Sequence, residues 1–128
     1  PTYHVFKMYI PFQDATYVPV TSNAGTYTQG SVTLPRFDAI AAKDASGKLW
    51  LEITNLDPEN PADIEADLAG MKVKSAAGET LTAPAVDSVN TFEKPDTVAP
   101  KAIAVKVQGG KVTLKVEPKS VTVVSLSD

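Results

Sequence analysis

Several groups of side chains in this sequence have types and spacings that could carry chemistry. Asp63, Glu65 and Asp67 alternate with Ala62, Ile64, Ala66 and Leu68. On an extended backbone all three carboxylates share one face, roughly 7 Å between successive neighbours. Such a row could hold a metal ion or divide acid and base duties. The same alternation also describes a solvated strand face whose like charges discourage edge pairing, and that is the expected role. Asp57-Pro58-Glu59-Asn60 gathers oxygens in a tight loop. It lacks the Asp-x-Asp-x-Asp-Gly spacing of a dedicated calcium site and reads as a turn, so no metal site is assigned.

His4 is the only histidine and Trp50 the only tryptophan. As a catalytic base His4 has no nucleophile near it in sequence, and a packing or hydrogen-bonding role is expected. Trp50 is more informative. If Leu49, Leu51 and Ile53 face a core, Trp50 shares the opposite face with Lys48, Glu52 and Thr54. An exposed indole there could stack on a sugar ring, with Tyr17 and Tyr27 as possible helpers. It could equally pack at a domain contact, where aromatic side chains are common. Gly109-Gly110 reads as a hairpin turn; no helix follows to make it a phosphate cradle.

Composition narrows the field. The chain has 128 residues, a net charge of −3 and 12 basic residues spread thinly. That is one domain, with no nucleic-acid footprint. A (β/α)₈ barrel needs about 200 residues or more and does not fit. There is no cysteine, which removes disulfides, thiolate metal sites and a cysteine nucleophile. No apolar run approaches the roughly 18 residues of a membrane span, so no membrane partner is expected. The chain opens on Pro1 without a secretory signal, which reads as a cut edge and leans location only slightly toward the cytoplasm.

The elements that must hold these residues are mostly strands. Residues 1–12 are the exception: Val5, Met8, Tyr9 and Phe12 recur at helical spacing, Pro1 suits a first turn, and Pro11 ends the run. A helix so short and apolar cannot stand alone in water. Its stripe is expected to lie exposed, or to be covered by self-association, if the partner surface is outside the chain. From Ala15 onward, extended segments alternate with turns. Residues 21–25 and 29–31 read as loop on either side of a few polar residues. Residues 32–43 and 48–56 read as a hairpin, 62–68 as an alternating strand, and 71–75 and 79–82 as two short strands split by Ala77-Gly78. Residues 83–100 carry three prolines without a period and read as a long ordered loop. Residues 104–116 form a hairpin with Val112, Leu114 and Val116 facing inward. The run 121–126 is apolar on both faces and belongs in the middle of a sheet. The expected fold is all-β, a two-sheet antiparallel β-sandwich preceded by one short helix.

Specific strings carry a resemblance. Residues 34–44 (Leu-Pro-Arg-Phe-Asp-Ala-Ile-Ala-Ala-Lys-Asp), Leu49-Trp50-Leu51 with residues 54–58, residues 89–93 with Pro95 and Pro100, residues 118–123 and the opening nine residues occur in this order. Together they make the chain similar to the C-terminal portion of glycoside hydrolase family 51 α-L-arabinofuranosidases, over nearly its whole length. The resemblance implies a catalytic (β/α)₈ barrel followed by a jelly-roll-like sandwich. Residues 1–14 would be the last barrel helix and residues 15–128 the sandwich, to which a short N-terminal segment of the enzyme also contributes.

It further implies retaining hydrolysis by two barrel glutamates about 5 Å apart, the acid/base preceded directly by Asn. No Asn here is followed by Glu, so no catalytic residue carries over, and no cofactor is implied. Tyr3, Val5, Phe6, Met8, Tyr9 and Phe12 become candidates for interdomain packing. The expected partners are the enzyme's own barrel, arabinose-containing polysaccharide or oligosaccharide acted on by the parent, and further copies in a homo-oligomer. The alternative expectation is a free-standing carbohydrate-binding module that grips sugar through Trp50.

Overall fold

The computed structural model describes residues 1–128. Helix α1 (Thr2–Met8) runs into a 3-10 turn over Ile10–Phe12. Pro11 has no N–H to give the Lys7 carbonyl, so the α-helix stops there. Two sheets follow. The larger contains β1 (Thr16–Val18), β4 (Phe37–Lys43), β5 (Leu49–Asn55), β7 (Ser75–Leu81), β8 (Lys101–Ile103) and β11 (Ser120–Ser127) in the order β1-β4-β5-β11-β7-β8. The smaller has β10 (Lys111–Val116) between β6 (Ala62–Asp67) and β9 (Val105–Gln108). All pairs are antiparallel. The architecture is therefore the expected two-sheet sandwich with one short helix.

The sheets meet through the inward residues of each strand. Leu49, Leu51 and Ile53 from β5, and Val124 and Leu126 from β11, close on Val112, Leu114 and Val116 from β10. Full burial of one such side chain is worth about 1.5–3 kcal/mol. The apolar run of β11 lies between β5 and β7, as its two apolar faces require. The β9–β10 turn places Gly109 at φ 60° and Gly110 at φ 77°. A two-residue hairpin turn of this hand needs positive φ at both positions, and glycine adopts it without steric cost.

Two expectations are corrected. The polar residues between the two expected loops, with Gln29, form a strand: β2 (Thr26–Gln29) pairs with β3 (Val32–Pro35) in a separate two-stranded ribbon turned at Gly30-Ser31. Its side chains are mostly exposed, so there was little apolar alternation to read. The second correction is β7, which passes straight through Ala77-Gly78, while residues 71–74 form no strand. Gly78 is there for room. A Cβ on it would stand 2.9 Å from both Ile103 Cγ1 and Val105 Cγ2. In a strand, glycine marks such close approaches as readily as a break. Residues 83–100 form the expected long loop, containing no strand.

Candidate functional site

The larger sheet packs on both faces, its second face covered only in part, and that second face is the candidate site. Ile40 of β4, Glu52 of β5 and Val123 of β11 stand directly opposite one another, so their side chains share that face. A second core forms on it from Met8, Leu81, Val98 and Val123, with Val5, Tyr9, Phe12, Trp50, Ala83 and Val121 packed around them. The helical opening therefore lies on its own sandwich. Its stripe of Val5, Met8, Tyr9 and Phe12 is neither exposed nor in need of a second copy, contrary to expectation: the required surface is the outer face of the larger sheet. The opposite side of the same segment is bare. Tyr3 is 70% exposed, Phe6 74% and Ile10 57%. The six candidates for interdomain packing thus divide, Val5, Met8, Tyr9 and Phe12 against the sheet and Tyr3 and Phe6 toward solvent.

Trp50 sits half-buried at one end of this core. Its indole N–H donates to Asp44 Oδ2 at 2.9 Å, and the Lys48 ammonium lies 4.7 Å from the ring centroid. Asp44 is itself fixed by the hairpin turn, its Oδ1 accepting from the Ser46 and Lys48 N–H groups and the Ser46 hydroxyl. These donors, led by Ser46 and Trp50, pull the Asp44 carboxyl down to about 2. One ring face is thus occupied by a cation–π contact. Tyr17 of β1 stands opposite Ala42, which stands opposite Trp50, so the two rings share one sheet face two strands apart; Tyr27 lies on β2, in the separate two-stranded ribbon.

The residue whose burial strand alternation could not show is Glu52. Its neighbours on β5 alternate, which placed it with Trp50 and Thr54 on the face opposite the core, and there it is fully buried. Thr54 donates to Oε1 at 2.6 Å, while Oε2 is buried without a hydrogen-bond partner. Burial pushes the carboxyl above the usual glutamate range; the Thr54 and Tyr9 hydroxyls offset this in part, and the nearby charge of Asp38 adds to it. Tyr9 is pushed up to about 12, first by its own burial and then by the charge of Glu52. The signal in the sequence was indirect: an apolar helix stripe in the same chain needed a face to cover.

The remaining candidates are structural. Asp57 receives the N–H groups of Glu59 and Asn60 and the Asn60 side-chain amide, and pairs with Arg36 Nε at 3.4 Å. Its oxygens are directed at donors, which makes the loop the expected turn. Asp63, Glu65 and Asp67 face solvent on β6, opposite Lys115, Thr113 and Lys111. No three His, Asp or Glu residues gather in metal-binding geometry. His4 lies half-buried, edge-on to Tyr3 with ring centroids 5.5 Å apart. Beside β6, whose outer edge is unpaired, an apolar groove of about 740 Å³ opens between the sheets, lined by Val18, Phe37, Ala39, Leu51, Ile64 and Ala66 among others.

Residues 1–120 match a family model described as the α-L-arabinofuranosidase C-terminal domain. The chain is 36% identical over 128 residues to an intracellular exo-α-L-arabinofuranosidase of Bacteroides ovatus, covering 98% of this chain and 25% of that protein. The crystal structure of the family 51 arabinofuranosidase from Xanthomonas axonopodis pv. citri superposes with a TM-score of 0.94 at 34% identity, over 99% of this chain and 26% of that one. The thermostable family 51 enzyme of Thermotoga petrophila RKU-1 gives a TM-score of 0.66 at 26% identity, over 73% of this chain and 20% of that one. The chain spans about a quarter of the length of the first two relatives. Sequence and fold agree: this chain belongs to the α-L-arabinofuranosidase C-terminal domain family, in the form carried by glycoside hydrolase family 51.

Proposed function

We propose that this chain is the non-catalytic C-terminal sandwich of an α-L-arabinofuranosidase and serves to brace the catalytic barrel. The parent would release terminal α-L-arabinofuranosyl groups from arabinoxylan, arabinan or arabino-oligosaccharides. Residues 1–14 would be the last helix of the barrel and residues 15–128 the sandwich. The observation that carries this reading is the two-faced helical opening. Met8 is buried on the sheet while Tyr3, Phe6 and Ile10 stand exposed on the far side. A segment apolar on both sides is a wedge between two bodies, and large exposed apolar patches mark such contacts. The short N-terminal segment of the parent would lie in the groove beside β6. An unpaired edge beside an apolar groove accepts a strand readily. Oligomer contacts would use the same class of surface.

The test compares the 128-residue chain with a longer polypeptide that carries the barrel. The chain alone is expected to release nothing from an aryl α-L-arabinofuranoside, and the longer polypeptide to turn it over. Tyr3→Ser with Phe6→Ser should lower the melting temperature of the longer polypeptide and leave that of the chain unchanged. Turnover by the chain alone would overturn the reading. So would measurable arabinoxylan affinity abolished by Trp50→Ala, which would favour the sugar-binding module instead.

A further inference from the structure

Glu52 occupies a position where packing alone would put an aliphatic residue. It lies on β5 between Ile40 and Val123, fully buried, with one carboxyl oxygen bound by Thr54 and the other without a partner. The helical opening covers it, and its Tyr9 hydroxyl lies close enough to offset in part the cost of the charged form. A buried carboxylate without a counter-charge is costly, whereas a neutral carboxyl is tolerated with one hydrogen bond. The groups that face it supply no cation. Tyr9 comes from the helical segment, Asp38 from β4 and Thr54 from β5; β11 adds Val121, Val123 and Ser125, and Glu79 of β7 lies one strand further on. Lys48 is held over the Trp50 ring, Lys7 is exposed, and neither ion pair of the chain involves Glu52.

We propose that Glu52 is a proton-operated latch that seats residues 2–12 on the sheet when neutral and loosens them when ionised. On ionisation the carboxyl proton passes to solvent, and the carboxylate regains hydration only by parting Tyr9 from β5. The sign follows from the environment. A carboxyl that binds its proton more tightly in the seated state favours seating at acid pH, and loses that advantage as pH rises through its raised value. The inference concerns this chain alone and stands whether or not residues 1–14 belong to a barrel.

The chain carries its own reporter, since Trp50 belongs to the same core as Met8 and Tyr9. Between about pH 5 and pH 9, a range above the ordinary glutamate value, Trp50 emission should shift to the red. Amide exchange protection of residues 2–12 should fall at least about tenfold after correction for intrinsic rates. Glu52→Gln, uncharged at every pH, should hold both readings flat, and His4→Gln should leave the wild-type response in place. A flat wild-type response would overturn the proposal, as would a response kept by Glu52→Gln or lost in His4→Gln. Should Glu52→Gln fail to fold, the side-chain carboxyl carbon shift of Glu52 in the unmodified protein decides. A midpoint above the ordinary glutamate range supports the latch, and one within that range overturns it.

Discussion

The side-chain amide of Asn90 and the backbone of Val98 exchange two hydrogen bonds: Nδ2 donates to the Val98 carbonyl at 2.9 Å, and the Val98 N–H donates to Oδ1 at 2.7 Å. A side chain here does what a neighbouring strand would do. Through it the long loop is pinned where Val98 enters the core with Met8, Leu81 and Val123. Asn90→Ala removes both bonds and leaves buried backbone groups unpaired, at a cost of about 1–3 kcal/mol. The loss should be concentrated in the loop. Hydrogen exchange at Val98 would accelerate well before that of β5 or β11, and unchanged Val98 protection would refute this role.

Gly78 should not accept a side chain. Gly78→Ala drives a methyl against Ile103 and Val105, and overpacking of this kind costs about 1–3 kcal/mol. Denaturant melts should show the loss, and adding Ile103→Ala should recover part of it. Additive penalties in the double variant would show that the two positions do not compete for the same space.

Core and helix surface should respond differently. Leu126→Ala empties a nearly fully buried site between the sheets and should lower stability by about 2–5 kcal/mol. Phe6→Ser, on the exposed side of α1, should change the stability of this chain by no more than about 0.5 kcal/mol. Equal losses in thermal melts of the two variants would mean that Phe6 is covered in solution.

Acid should unfold the domain through carboxylates whose hydrogen bonds exist only in the fold. Asp44 is held at about 2 against an ordinary value of 3.8, and Asp57 is lowered first by the Glu59 and Asn60 N–H groups. Because their folded values lie below the unfolded ones, their contribution is complete above the ordinary value. It fades as pH falls toward 2 for Asp44. The melting temperature should drop across that interval. Asp44→Asn, which loses the acceptor for the Trp50 indole, should start lower and show a shallower acid limb.

The legible parts of the fold were those with a strong local period. Residues 62–67 and 111–116 alternate and are strands with the stated inward faces. Two-sided apolarity put β11 inside a sheet, and the glycine pair put a turn between β9 and β10. Illegible were features whose cause lies elsewhere in the chain. Thr26–Gln29 became a strand by pairing with Val32–Pro35 rather than through any apolar alternation of its own. Gly78 looked like a break because its reason, the nearness of Ile103 and Val105, comes from residues about 25 positions later.

At the candidate site the division is sharper. Strings of residues along the chain were enough to place it in its family and to mark the opening as a helix with an apolar stripe. Periodicity and short motifs are local properties, and local properties survive in one dimension. Which surface would receive that stripe was decided only in three dimensions. Strand alternation assigns a residue to one of two faces, but it cannot say whether a face meets water. Burial of Glu52 and the half-burial of Trp50 follow from residues about 40 positions upstream folding back over β5. The chemistry of Glu52 was set by that cover, and that of Trp50 by the turn holding Asp44 and Lys48 beside it.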